Sequence, residues 1–121
     1  MTWHAAVIVL QRPDGRVLGV TRGEDLDDIN FPGGNRIARD RSPADTARRE
    51  LREETGLVVR ALNPLATWNS EGKKVTAFKG LTWSGQLRPG PEGQPAWVWP
   101  EALQRPSSRF RQHNGILLSR L

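Results

Sequence analysis

A mixed α/β or α+β domain is predicted by three features of this 121-residue chain. Short apolar runs rich in β-branched residues lie before and after one strongly capped helix. Breaker clusters (PDG, FPGG, EGKK, RPGPEGQP) separate the runs at short intervals, and a second helical segment closes the chain. The length suits one domain over residues 1–121, and 36% apolar residues with five tryptophans argue for a folded core.

HAAVIVLQ (4–11) reads as a strand ending at the turn Pro13–Gly15. VLGVTR (17–22) resumes, so residues 3–22 are expected to form a hairpin. GEDLDDIN (23–30) is acidic without periodicity and reads as a loop, solvated rather than metal-binding. At FPGG (31–34) the backbone must turn tightly or approach something closely. The clearest helix follows: Ser42 is its N-cap, Pro43 its first residue, Asp45 the near capping-box partner and Gly56 the stop. Ala44, Ala47, Leu51 and Thr55 form its core-facing stripe. LVVRAL (57–62) and LATWNS (65–70) read as strand broken at Asn63-Pro64, and VTAFKGLTWSGQL (75–87) as one or two more. AWVW (96–99) is expected to be a short buried strand with one tryptophan in the core and the other exposed. PEAL (100–103) is a helical turn, and residues 110–121 a helix carrying a surface His113.

Without cysteine, disulfides, thiol nucleophiles and thiolate metal sites are excluded. No segment is long and apolar enough to span a bilayer, and no basic leader opens the chain, so no membrane partner and a cytoplasmic location are expected. The formal charge is +5 with a pI near 11.0, and fifteen of the eighteen basic residues are arginine, which favours anionic partners. The bases are scattered, with no dense basic tract.

Against that charge, RRELREETG (48–56) places Glu50, Glu53 and Glu54 on one side of the helix. Arg49–Glu53 is a favourable i,i+4 pair worth a few tenths of a kcal/mol, but Glu50–Glu54 and Arg48–Arg52 are like-charged and cost about as much. Local pairing nearly cancels, so a solvated face explains the arrangement poorly. Oxygen ligands select hard cations such as Mg²⁺, Mn²⁺ or Ca²⁺, and Mg²⁺ completes its shell with water and substrate phosphates. With the Gly-Gly turn upstream, phosphoryl or pyrophosphoryl chemistry is indicated.

FPGG followed by RRELREETGL resembles the Nudix hydrolase family, whose signature is G-x5-E-x7-R-E-U-x-E-E-x-G-U, U being aliphatic. Arg49, Glu50, Leu51, Glu53, Glu54, Gly56 and Leu57 all match. The spacing departs by one residue: fourteen residues, not thirteen, separate Gly34 from Arg49. Aligned from the helix, Arg41 stands where the family has its first glutamate; aligned from the glycine, Asp40 does, and Asp40 reaches Arg49 if the extra residue bulges.

The resemblance implies an α/β/α sandwich with a mixed sheet. It also implies Mg²⁺ or Mn²⁺ held by Glu53 and Glu54 with Glu50 and the Gly34 carbonyl, and Arg49 orienting a glutamate. Water would attack a nucleoside diphosphate linked to a further moiety, with Glu50 or Glu53 as base. Glu92 is the candidate for the extra loop glutamate that some relatives use. At the substrate, Asn30 could read a base edge, Phe31 lies beside it, and His4 starts a strand that faces the base in this fold. Trp68 or Trp83 packs in the core or stacks on a base.

No tyrosine follows the box, Pro64 comes too early for the ADP-ribose type, and the NADH and coenzyme A motifs are missing. The compact MutT-like group remains, acting on nucleoside triphosphates, sometimes oxidised, or on another small diphosphate. Two alternatives stand: an RNA 5′-end pyrophosphohydrolase, and a catalytically impaired nucleotide-binding module. A monomer or a homodimer is compatible with the sequence.

Overall fold

The computed structural model describes residues 2–121. Its elements are β1 (Ala5–Val9), β2 (Val17–Arg22), β3 (Asp25–Asn30), β4 (Gly33–Asn35), α1 (Pro43–Thr55), β5 (Val58–Ser70), β6 (Lys73–Ser84), β7 (Pro95–Val98), a 3₁₀ turn (Pro100–Leu103) and α2 (Arg111–Leu118). They form a mixed four-stranded sheet in the order β4-β1-β6-β5 and an antiparallel three-stranded sheet in the order β3-β2-β7.

β1 explains the layering. A strand buried on both faces reads as an unbroken apolar run, and its side chains alternate between two cores. Ala6, Ile8 and Leu10 pack with Ala47 and Leu51 of α1. Val9, flanked by Val7, packs with Leu103 and with Leu117 of α2. The two helices thus cover opposite faces of the larger sheet, as an α/β/α sandwich requires.

Both edges of β1 are occupied as well, by β4 antiparallel and β6 parallel. That is why the expected hairpin over residues 3–22 does not form. β2 leaves for the other sheet, and the two are joined at the neck by the bridge between Gln11 and Val17, where Leu18 N donates to Leu10 O (3.1 Å) and Arg12 N to Arg16 O (2.8 Å).

The acidic run read as a loop is instead β3, paired with β2 through a bulge at Thr21/Arg22. As an edge strand it is exposed on both faces from Asp25 to Asp27, so it shows no alternation. The expected break at Asn63-Pro64 is also absent: β5 runs through it, with irregularities between Val59 and Leu62 and between Pro64 and Ala66. β5 is an edge strand, where proline removes no needed N–H. The strand here, Pro95–Val98, is an edge strand too, half-buried rather than buried; Trp97 packs on the core, while Trp99 lies beyond the strand's end and is exposed. The C-terminal helix is shorter than expected, 111–118 rather than 110–121.

α1 follows the sequence closely. Ser42 is extended and its Oγ accepts from Asp45 N (3.2 Å), Pro43 opens the helix, and Gly56 ends it at φ 82° with its N–H on Arg52 O (3.0 Å). Thr46, Ala47, Leu51 and Thr55 are buried.

The segment before α1 is tied to it by an ion pair. Asp40, 5% exposed, accepts from Arg49 Nε (3.1 Å) and Nη2 (2.9 Å), and from Ile37 N (3.0 Å) and Thr46 Oγ1 (2.8 Å). The Arg49 hydrogen bond outweighs burial and, with the other donors, holds the Asp40 carboxyl well below the usual carboxylate range.

Two outcomes are expected in urea unfolding. Leu51→Ala should cost about 2–5 kcal/mol by opening a cavity under the sheet, and Asp40→Asn about 3 kcal/mol by leaving Arg49 without its partner. The unfolded chain takes up the Asp40 proton first as pH falls. The stabilisation is therefore complete above about pH 4 and declines below it. Wild-type stability should drop there, and that of Asp40→Asn should drop less.

Candidate active site

With Ala47, Leu51 and Thr55 anchored in the core, the flanking face of α1 carries Glu50, Glu53 and Glu54 toward the β4 glycines. Gly33 N donates to Glu54 Oε1 (3.2 Å). Gly33 is needed for this approach, because a Cβ there would lie 2.5 Å from the Ala6 carbonyl oxygen; a Cβ on Gly34 would lie 2.5 Å from the Glu50 carboxyl carbon, so that carboxylate would have to move. The tight approach expected at FPGG is therefore against β1 on one side and α1 on the other.

Arg49 organises the carboxylates. Its Nη1 donates to Glu50 Oε1 (2.9 Å) and Glu53 Oε2 (3.3 Å), while Nη2 also reaches Asn35 O (2.8 Å). Glu53 is the open member, its side chain 52% exposed against 14% for Glu50. Glu54 is pushed up to about 9, first by burial and then by Glu50 beside it, so this facing pair retains a proton near neutrality. Of the two residues at the irregular spacing, Asp40 is the one paired with Arg49.

Among the described residues no three acidic or histidine side chains converge into a ready-made metal cage. The donor set nevertheless fits a hard divalent cation. Two facing oxygen donors, both half-buried, suffer a repulsion that a cation would relieve, and Mg²⁺ needs only one or two carboxylates when water and phosphates complete its shell.

These groups line a cavity of about 620 Å³. A neighbouring cleft of about 560 Å³ shares Asn30, Phe31, Gly33, Glu54 and Glu92 with it. Phe31 is a buried wall residue, and Glu92 reaches the site from the loop between β6 and β7. Asn30 also lines the cavity, but its amide is engaged: Nδ2 donates to Asp28 Oδ1 (2.7 Å), and Oδ1 accepts from Phe110 N (3.1 Å) and Asn114 Nδ2 (3.0 Å).

His4 lies apart from these groups. It is not among the lining residues, and its Nδ1 accepts from Lys74 N (2.8 Å), closing the joint between β1 and β6. His113 is the converse: read as surface, it lines the cavity and stacks on Trp68 with ring centroids 5.0 Å apart. Arg22, Lys73, Arg109 and Asn114 also face the cavity without having been singled out as substrate contacts. The only available signal was their concentration around α2 and the strand ends. Of the DLDD run, Asp28 accepts from Arg109 N (2.8 Å) and none lines the cavity.

The NUDIX domain pattern matches residues 1–120. In fold, the chain is similar to a MutT structure from work on Aliivibrio salmonicida and Vibrio cholerae (TM-score 0.77, 21% identity, 96% of this chain and 93% of that one). It is similar also to a MutT Nudix hydrolase from Burkholderia pseudomallei (0.77, 19%, 100% and 99%) and to a MutT protein from Bacillus halodurans (0.73, 21%, 93% and 78%). No curated protein matches significantly. The glutamate helix, the glycine strand against it and the match along nearly the whole chain lead to one assignment: this chain belongs to the Nudix family, hydrolases that act on pyrophosphate bonds.

Proposed function

We propose that this chain is a Mg²⁺-dependent (or Mn²⁺-dependent) pyrophosphohydrolase that converts a nucleoside triphosphate, ordinary or oxidised, to the monophosphate and pyrophosphate. The observation that carries this reading is the facing Glu50–Glu54 pair in a cavity whose other walls include Trp68, His113 and Arg109. Carboxylates suit the metal–diphosphate portion, and stacking rings suit a base.

Glu50 and Glu54, with Glu53 and the Gly34 carbonyl, would hold the cation. Bound there, it would supply a water of lowered pKa and offset charge on the diphosphate. Glu50 or Glu53, both tethered through Arg49 Nη1, accepts the proton of the attacking water. Arg22, Lys73 and Arg109 are placed to meet phosphate oxygens, and Glu92 closes the site from its loop.

Pyrophosphate and phosphate release from a panel of ordinary and oxidised triphosphates tests this reading. Wild type should release pyrophosphate with Mg²⁺ and lose turnover in excess chelator. Glu54→Gln and Glu53→Gln should each fall about a hundredfold or more. No turnover with metal would refute the reading. The arginine excess makes triphosphorylated RNA the comparison substrate; faster release from it, falling steeply with salt, would move the assignment to RNA 5′ ends.

A further inference from the structure

The Asp40 carboxylate is held by more than Arg49. Its Oδ2 accepts from Thr46 Oγ1 (2.8 Å), and Thr46 Oγ1 itself accepts from the indole Nε1 of Trp3 (2.9 Å). All three residues are buried. Trp3 is in turn covered by the Arg36 guanidinium, 4.2 Å from its ring centroid. A chain of hydrogen bonds therefore runs from the segment before β1, through the first turn of α1, to Arg49 and on to Glu50 and Glu53.

We propose that Thr46, backed by Trp3, is a positioning residue that fixes the rotation of the Asp40 carboxylate and so aims Arg49 at Glu50 and Glu53. The chemistry requires both members. The indole N–H is donor only, so it fixes the hydroxyl's lone-pair side and leaves the hydroxyl proton directed at Asp40. Aspartate is one methylene shorter than glutamate, and here eight residues rather than the family's seven separate it from Arg49, so its carboxylate must be held in place for a two-point contact with the guanidinium. Thr46 supplies that hold from the helix itself, together with Ile37 N. The effect on metal binding rests on the proposed function; the effect on Arg49 does not.

The test uses the full chain with Thr46→Val, Thr46→Ser and Trp3→Phe. Hydrogen exchange of the Arg49 Nε–H, read by NMR on metal-free protein, reports the aim of the guanidinium directly. Mn²⁺ titration of nucleotide-free protein by calorimetry reports the carboxylates. Thr46→Val should speed exchange and weaken Mn²⁺ binding, each about tenfold or more, as loss of an outer partner does elsewhere. Thr46→Ser, which keeps the hydroxyl, should return both to within about threefold of wild type. Trp3→Phe should move both in the direction of Thr46→Val, by less. Unchanged exchange in folded Thr46→Val overturns the proposal, as does a Thr46→Ser as impaired as Thr46→Val, since the methyl and not the hydroxyl would then matter. If Thr46→Val does not fold, unchanged exchange in Trp3→Phe overturns it. If wild type binds no Mn²⁺, the catalytic reading fails and Arg49 exchange alone decides.

Discussion

A guanidinium carries five N–H donors in one plane, and at Arg49 every one has an acceptor. Nε and one Nη2 proton hold Asp40, the other Nη2 proton holds Asn35 O, and Nη1 divides between Glu50 and Glu53. Any rotation of the group breaks several bonds at once, so its orientation is set by the loop before α1, by β4 and by the helix together. Such saturation answers the difficulty posed by crowding three carboxylates on one helix. Glu50 and Glu53 share one guanidinium that cannot turn away and that also serves Asp40, so their repulsion is reduced rather than cancelled, and the third, Glu54, lies against Gly33 N with its carboxyl pushed up by burial and by Glu50. Exposed i,i+4 pairing could not achieve this, being worth only a few tenths of a kcal/mol.

The arrangement depends on how closely β4 approaches α1. β4 is three residues long and registers on β1 with Ala6 opposite Gly34 and Val7 opposite Gly33. A side chain at Gly33 would push the strand off β1, and one at Gly34 would displace the Glu50 carboxylate. β1, being buried on both faces and paired on both edges, cannot shift to make room. The most constrained strand of the fold thus fixes the strand that carries the backbone side of the site, while Leu51 and Ala47 fix the helix that carries the acidic side.

Where local chemistry determines structure, the sequence was readable. Ser42, Pro43, Asp45 and Gly56 act as caps whatever the tertiary context, and the box residues lie on one helix, so the carboxylates and their arginine could be found by spacing. Partner choice between strands was not readable. HAAVIVLQ says that β1 is buried, not that both its edges are taken, and so the hairpin with β2 looked natural. DLDDIN lacks alternation because its first half is exposed on both faces, and only Asp28 to Asn30 turn inward. His4 and His113 exchanged roles for a similar reason: each is a lone histidine whose neighbours come from distant segments, Lys74 for one and Trp68 for the other. Asp40 lay between, visible as a candidate but decided only by the path of the chain from Ile37 to Ser42.

The charges around the cavity constrain the order of events on the proposed reading. Glu50, Glu53, Glu54, Glu71 and Glu92 line it, against Arg22, Lys73 and Arg109. Five carboxylates against three cations leave a formal balance of −2, in a chain whose total is +5. The overall field draws a polyphosphate toward the protein, while the lining repels it at the last few ångströms, and the proton retained near Glu54 removes only part of that repulsion. A divalent cation is the largest charge that such a site can acquire, and it would cancel that formal balance. Productive binding of the polyphosphate and binding of the cation are therefore linked: each lowers the cost of the other. On that reading the carboxylate cluster would select metal-complexed phosphates over bare ones, in addition to holding the metal for chemistry.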